Sequence, residues 1–512
     1  MDGPLSSPRD GKRTMKRRTF SRAACLLSLA PFAGCRTGFA PSAGTPRSAS
    51  GEAPDILGGD ALDQAARIRS GAVSPVEMVE AAIRRIETLD VPINAVVTRF
   101  YQRALEEAAG PLPDGPFRGV PFLLKDLNDL AGTPKSMGSR LFADYRSAKS
   151  SPHTEAVVGA GFVVLGKTNT PELGLVATTE SAALGPCHNP WNLAHSAGGS
   201  SGGAAAAVAA GMLPMAQASD GGGSIRVPSS CCGVFGLKPS RGRNRAAPQK
   251  RAVDISVKHC VSRSVRDTAA YSVVVQRRDA TAPFAPLPYV EGPSADRLRI
   301  GFFTSNVYGV DAEPSVKDAL EDTARLCDGL GHEIVPVTLD FEGEAFREHF
   351  LNLWSSIPAG VLERVESQGL DPTSVLEPVT LGMAERFRRA RADAIPRAAA
   401  FFAGYGARVD AYFQEFDLLL SPVLRRPPIP LGEQAGTLPF DDVFEPMIDY
   451  VSFTPVWNAT GHPAMSVPLG WSPTGLPIGS QFVAGLGREQ RLLELAFELE
   501  AARPWADRRP PG

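Results

Sequence analysis

The chain has 512 residues, 43% hydrophobic and 21% charged, with 50 Gly and 45 Pro. This composition excludes general disorder and supplies enough apolar material for a large core, and its glycine and proline suit a loop-rich α/β enzyme better than a helical bundle. A formal net charge of −2 creates no field that would gather nucleic acid, so the expected partner is a small, largely neutral molecule.

The seven cysteines, at 25, 35, 187, 231, 232, 260 and 327, form no CxxC pair, and the seven histidines form no HExxH. A zinc site has little support, and no metal or organic cofactor is expected. Adjacent Cys231 and Cys232 read as small packing residues rather than a redox pair.

Lys16, Arg17, Arg18, Thr19 and Phe20 precede an apolar stretch over residues 23–33, too short to cross a bilayer, which takes about 20 residues. Arg17-Arg18 followed by Thr19-Phe20 resembles a twin-arginine export signal. Phe32-Ala33-Gly34-Cys35 resembles a lipoprotein cleavage box, with Phe32 in place of the usual leucine, which makes Cys35 the expected lipid-bearing residue. A disordered basic leader is the competing reading, and Met15 competes with Met1 as the start. The expected organisation is a signal over 1–35, a Gly/Ser/Pro/Ala-rich tether over 36–55 and one folded domain over 56–508. The mature protein is then exported, in the periplasm or anchored to a bacterial membrane through Cys35.

Ser74-Pro75-Val76-Glu77 carries a helix-start signature, with Ser74 as cap, Pro75 in the first turn and Glu77 reaching back. Val79, Ala82, Ile83 and Ile86 follow on one face, so this helix packs on a core. Residues 120–124 and 162–165 are short apolar runs flanked by Gly and Pro and are predicted as buried strands. A strand over 298–303, a helix over 315–330 and a strand over 333–337 make a further unit, and such alternation predicts a layered α/β fold. The Pro-dense tract 280–297 reads as a surface connection within one domain.

The chemistry is concentrated between residues 197 and 243. Ala197-Gly198-Gly199-Ser200-Ser201-Gly202-Gly203 runs straight into the helix-forming alanines 204–210, which a flexible linker would not do. Neither this segment nor Asp220-Gly221-Gly222-Gly223-Ser224-Ile225-Arg226 ends in GK[ST] or fits GxGxxG, so a phosphate loop is excluded. What remains is a serine presented by glycines. Gly221, Gly222 and Gly223 let main-chain N–H groups converge on one point, as an oxyanion requires, a contribution of roughly 3 kcal/mol per donor. Ser224 is then the candidate nucleophile, and it needs a base. No histidine sits in a Gly-x-Ser-x-Gly motif, but a lysine serves if burial keeps its amine neutral. Lys125, closing the apolar run Gly119-Val120-Pro121-Phe122-Leu123-Leu124-Lys125-Asp126, is placed to be buried.

Residues 119–126, 198–203 and 220–226 together resemble the amidase signature family. The likeness extends from about residue 60 to 505, with further marks at Gly166-Lys167-Thr168-Asn169, residues 232–239, Asn458-Ala459-Thr460-Gly461-His462-Pro463 and residues 475–479. It implies a single large α/β/α layered domain around a mixed, mostly parallel twisted sheet. Members use a serine nucleophile, a second serine that follows a cis peptide bond and relays the proton, and a lysine base. Residue by residue these fall on Ser224, Ser200 and Lys125, with the family's spacing of 24 residues between the serines. Ser201 is the neighbouring competitor for the relay, and Lys167 and Lys238 are rival lysines lying in structural motifs.

Asp220 and Arg226 flank the nucleophile with opposite charges and are expected to brace its loop. Many members have Gly-Thr-Asp-Thr-Gly-Gly-Ser where this chain has residues 218–224, so Gly221 is a departure expected to alter substrate shape rather than reaction type.

The resemblance implies hydrolysis of a carboxylic amide, linear amides foremost, with a small amide, a peptide amide or an amide oligomer as candidate substrates, to an acid and ammonia or an amine and without a cofactor; a monomer or homodimer is expected. A glutamine-hydrolysing amidotransferase subunit and a non-catalytic binding lipoprotein are the alternatives. Residues 341–397 and 428–451 are the segments expected to build the pocket; their Phe346, Phe350, Leu353 and Trp354 suit an apolar acyl chain, and core packing explains them equally well. The stretches 218–224 and 236–243 lean toward amide-oligomer hydrolases.

Overall fold

The computed structural model describes residues 55–247 and 253–511. The basic leader, Cys35 and the tether as far as residue 54 lie outside the described residues. The first predicted helix is present as Pro75–Leu89, with Ser74 and Glu77 forming a reciprocal cap and Met78, Val79, Ala82 and Ile86 buried. The two apolar runs are the buried strands Pro121–Lys125 and Val163–Thr168. They pair in parallel, and Val96–Arg99 adds antiparallel to the second, giving a three-stranded sheet.

A larger sheet has eight strands in the order Glu333–Pro336, Arg299–Phe302, Leu418–Pro422, Pro477–Ala484, Ala464–Trp471, Phe235–Lys238, Val257–Ser262, Met215–Asp220. Helix Pro314–Gly329 crosses between the first two, which are parallel, as the predicted strand, helix, strand unit requires. The sheet is mixed, as expected, but it is not mostly parallel. Only the two ladders made by Arg299–Phe302 are parallel, and the other five are antiparallel. For the central pair the reason lies in the connection: Trp471 faces Pro477 across a tight turn, and a short turn can join only antiparallel neighbours.

Successive residues of the central strands face opposite cores. Leu418, Leu420, Met465, Val467 and Phe482 lie in one cluster with helices Pro314–Gly329 and Glu489–Ala502. Leu419, Ala464 and Val483 lie in another with helices Gly202–Ala209 and Gly343–Ser367. This two-sided burial is the α/β/α layering. The tract between Gln276 and Arg299 contains neither helix nor strand, in line with a connection.

Helix Gly202–Ala209 is buried over its whole length. A Cβ on Gly203 would fall 2.3 Å from the Asn169 nitrogen and 2.6 Å from the Ala95 oxygen, and one on Gly202 would fall 2.4 Å from Thr179 Oγ1. The small residues therefore let this helix thread against other backbone, and that contact fixes Ser200 and Ser201 at its entrance.

Candidate active site

Lys125 ends its strand beside Met215–Asp220, where its N–H donates to Gln217 Oε1 at 3.1 Å. Gln217 and Ser219 share one face of that strand, two residues apart. The Lys125 side chain is fully buried, and Nζ donates to Ser200 Oγ at 2.7 Å and to Ser219 Oγ at 3.3 Å. Burial pushes the amine pKa down to about 7, although the Asp220 carboxylate works in the opposite direction. Near neutral pH a large share of Lys125 therefore carries no charge.

The Gly199–Ser200 peptide is cis. Thr179 Oγ1 clasps the turn around it, donating to Gly198 O at 2.8 Å and accepting from Gly202 N at 3.2 Å. Ser201 faces elsewhere: its Oγ donates to Ser219 O at 3.2 Å and accepts from Ser219 N at 3.3 Å. Of the rival lysines, Lys167 donates to Asn128 O at 2.7 Å and Lys238 to Pro239 O at 2.9 Å. Lys125 is thus the lysine joined to the Ser200 hydroxyl.

Ser224 sits at the turn between strand Met215–Asp220 and helix Arg226–Cys232. It lines a cavity of about 210 Å³ together with Ser200, Ser219, Gly221, Gly222 and Gly223. Asp220 and Arg226, both fully buried, form the expected ion pair at 3.0 Å. Burial alone would raise the Asp220 carboxyl, but the Arg226 guanidinium holds it well below its usual range. The carboxylate also accepts the N–H groups of Gly223 at 2.7 Å, Ile225 at 3.1 Å and Arg226 at 3.4 Å.

The Gly223 amide is therefore already taken, which removes it from the oxyanion donors expected from sequence. Among the described residues the amides of Gly221, Gly222 and Ser224 donate to no protein acceptor, and these three remain free for a ligand.

Sequence reasoning missed the rest of the brace. Arg226 also bonds Gln481 Oε1 at 2.7 Å, Asn458 Oδ1 at 2.6 Å and Thr454 O at 3.0 Å, while Thr454 Oγ1 donates to Gly222 O at 2.6 Å. Asn458 stood inside a quoted motif, but nothing in the sequence linked it to a residue more than two hundred positions earlier. Ser219, the second partner of Lys125, was equally invisible until the fold laid an edge of one sheet against the other.

Much of the remaining cavity wall is apolar: Leu173, Leu175, Val176, Phe350, Trp354, Ile357, Met447 and Val451. Of the four aromatic and aliphatic residues left open between pocket and core, Phe350 and Trp354 line the cavity, whereas Phe346 and Leu353 are buried in the core. Among the described residues no Asp, Glu, Lys or Arg lines the cavity, and no group of acidic, cysteine or histidine side chains is arranged to hold a metal ion.

A family model described as Amidase matches residues 77–493. The putative amidase AmiC of Mycobacterium tuberculosis is 38% identical over 459 residues, covering 88% of this chain and 96% of that protein. The 6-aminohexanoate-cyclic-dimer hydrolase of Paenarthrobacter ureafaciens is 36% identical over 479 residues, with 88% and 96% covered. A solved structure of 6-aminohexanoate cyclic dimer hydrolase superposes with a TM-score of 0.82 at 34% identity, covering 89% of this chain and 99% of that one. The chain belongs to the Amidase family, the amidase signature enzymes. It is an amidohydrolase that cleaves the C–N bond of carboxylic amides other than peptide bonds.

Removing Arg226 strands a buried carboxylate. Arg226→Ala is expected to lower the unfolding free energy by about 3–5 kcal/mol in urea denaturation, and a loss below about 1 kcal/mol would show that the pair is not the brace described.

Proposed function

We propose that Ser224 is the nucleophile, Ser200 the relay and Lys125 the base of a serine acyl-transfer mechanism. As Ser224 Oγ attacks the amide carbonyl, its proton passes to Ser200 Oγ while the Ser200 proton passes to neutral Lys125 Nζ. The amides of Gly221, Gly222 and Ser224 hold the oxyanion of the tetrahedral intermediate. Asp220 and Arg226 act only through the loop they brace. The Lys125 proton then returns through Ser200 to the leaving nitrogen, the C–N bond breaks, and ammonia or an amine departs. Water enters with the same proton relay and releases the acid. The observation that carries this reading is the 2.7 Å bond from a fully buried amine to the Ser200 hydroxyl.

The substrate we infer is an uncharged, mainly apolar amide, read as linear. Support comes from the apolar wall and from the lack of charged lining among the described residues, since a charged group pays heavily to enter such a site unpaired. The cyclic dimer named for one relative is also without charged ends, so a cyclic diamide belongs in the same assay as the comparison separating ring from chain.

The tests are direct. Wild-type protein supplied with an uncharged amide panel is expected to release ammonia or amine and to form a Ser224 adduct with a fluorophosphonate. Ser224→Ala is expected to lose turnover by a factor of about 10⁴ or more and the adduct entirely. Turnover within tenfold of wild type in that variant contradicts the assignment.

We also infer export and lipid anchoring, on the support of Arg17-Arg18, the apolar residues 23–33 and Cys35. Fatty-acid label and membrane partition are expected to be lost in Cys35→Ala, and a labelled, membrane-bound Cys35→Ala protein contradicts this.

A further inference from the structure

A glycine is usually required for one of two reasons, a backbone angle closed to other residues or a neighbour too near for a Cβ. Gly223 meets both, with φ at +137° and a Cβ position 2.3 Å from Thr454 Oγ1. Gly199 meets the second, since its Cβ would fall 2.5 Å from Thr178 O. Gly174 meets the first, with φ at +70°.

Gly221 and Gly222 meet neither. Neither has φ in the left-handed region, and a Cβ on Gly221 would find nothing closer than Ser256 Cβ at 4.0 Å. On Gly222 the nearest atom would be Phe350 Cζ at 3.6 Å, an ordinary contact. Fold and backbone both tolerate a side chain here, yet both residues line the cavity.

We propose that Gly221 and Gly222 are specificity determinants, whose missing side chains leave room for a bulky group attached directly beside the reacting carbonyl. This rests on the Ser224 reading above. An oxyanion held by the amides of these residues lies about 3 Å from their nitrogens, so substituents on the same carbonyl carbon occupy the space into which a Cβ at 221 or 222 would project. The cavity holds only about 210 Å³, and one methylene in such a pocket changes discrimination by roughly 10- to 200-fold. The substrate class that gains is the uncharged amide with bulk flanking its carbonyl, either an N-aryl or N-alkyl group or a branched α-carbon. An unbranched primary amide gains nothing from the space.

The test compares kcat/KM for butyramide, butyranilide and 2,2-dimethylbutyramide in wild type, Gly221→Ala, Gly221→Val and Gly222→Ala. The readout is the ratio of each bulky amide to butyramide, because damage to oxyanion binding lowers all three together and leaves the ratios unmoved. At least one ratio is expected to fall stepwise from Gly to Ala to Val at position 221, by about tenfold or more at Val, with the urea midpoint of Gly221→Ala close to wild type. Ratios that stay constant while rates fall, or variants that match wild type on all three amides, overturn the proposal. Ser224→Ala on the same amides tests the parent reading separately. Activity surviving there contradicts the nucleophile, while the ratios in the Gly221 variants still report the steric effect.

Discussion

An ammonium taken out of water loses hydration that a protein interior seldom replaces, so a buried lysine keeps its charge only beside a compensating anion. Lys125 is fully buried and its nearest side-chain partners are two hydroxyls, Ser200 and Ser219. The Asp220 carboxylate pulls the other way, but it is saturated by Arg226 and by three backbone amides. The balance leaves the amine pKa near about 7. Burial at the end of a strand thus converts a surface-type cation into a group able to take a proton.

The same carboxylate organises the neighbouring loop. By capturing the Gly223, Ile225 and Arg226 amides it fixes the turn, and Thr454 pins the Gly222 carbonyl from the other side. Amides spent on the brace and amides left free therefore lie side by side within one short segment. The backbone angle at 223 and the nearness of Thr454 make glycine compulsory there, whereas packing leaves it optional at 221 and 222. A rigid loop with unspent donors is the preorganised arrangement that holds developing negative charge at no cost of rearrangement during reaction.

Much of this was legible in the sequence because the informative residues are local. The cap at Ser74, the apolar runs 120–124 and 162–165, and the strand, helix, strand unit within 298–337 each declare themselves within a few positions. Glycine and apolar runs mark Ser224 and Lys125 as candidates in the sequence, while Ser200 as the relay is a candidate only through the family resemblance. Strand direction was not legible. A short strand carries no sign of its neighbour's polarity, and the mostly parallel sheet expected from the family resemblance is more parallel than the one observed. Likewise the spending of the Gly223 amide depends on where the Asp220 side chain turns, and the Thr454, Asn458 and Gln481 contacts span more than two hundred residues. Such long-range polar contacts leave no periodic trace.

The central claim is that Lys125 is neutral when it works, and its own titration measures this. In protein labelled with ¹³C and ¹⁵N lysine, the resonance that disappears in Lys125→Met identifies the residue, and its shift is followed with pH. A midpoint near about 7 is expected. A midpoint near the ordinary lysine value of about 10.4 would mean that the amine stays charged at neutral pH, and it would contradict the role of Lys125 as the base.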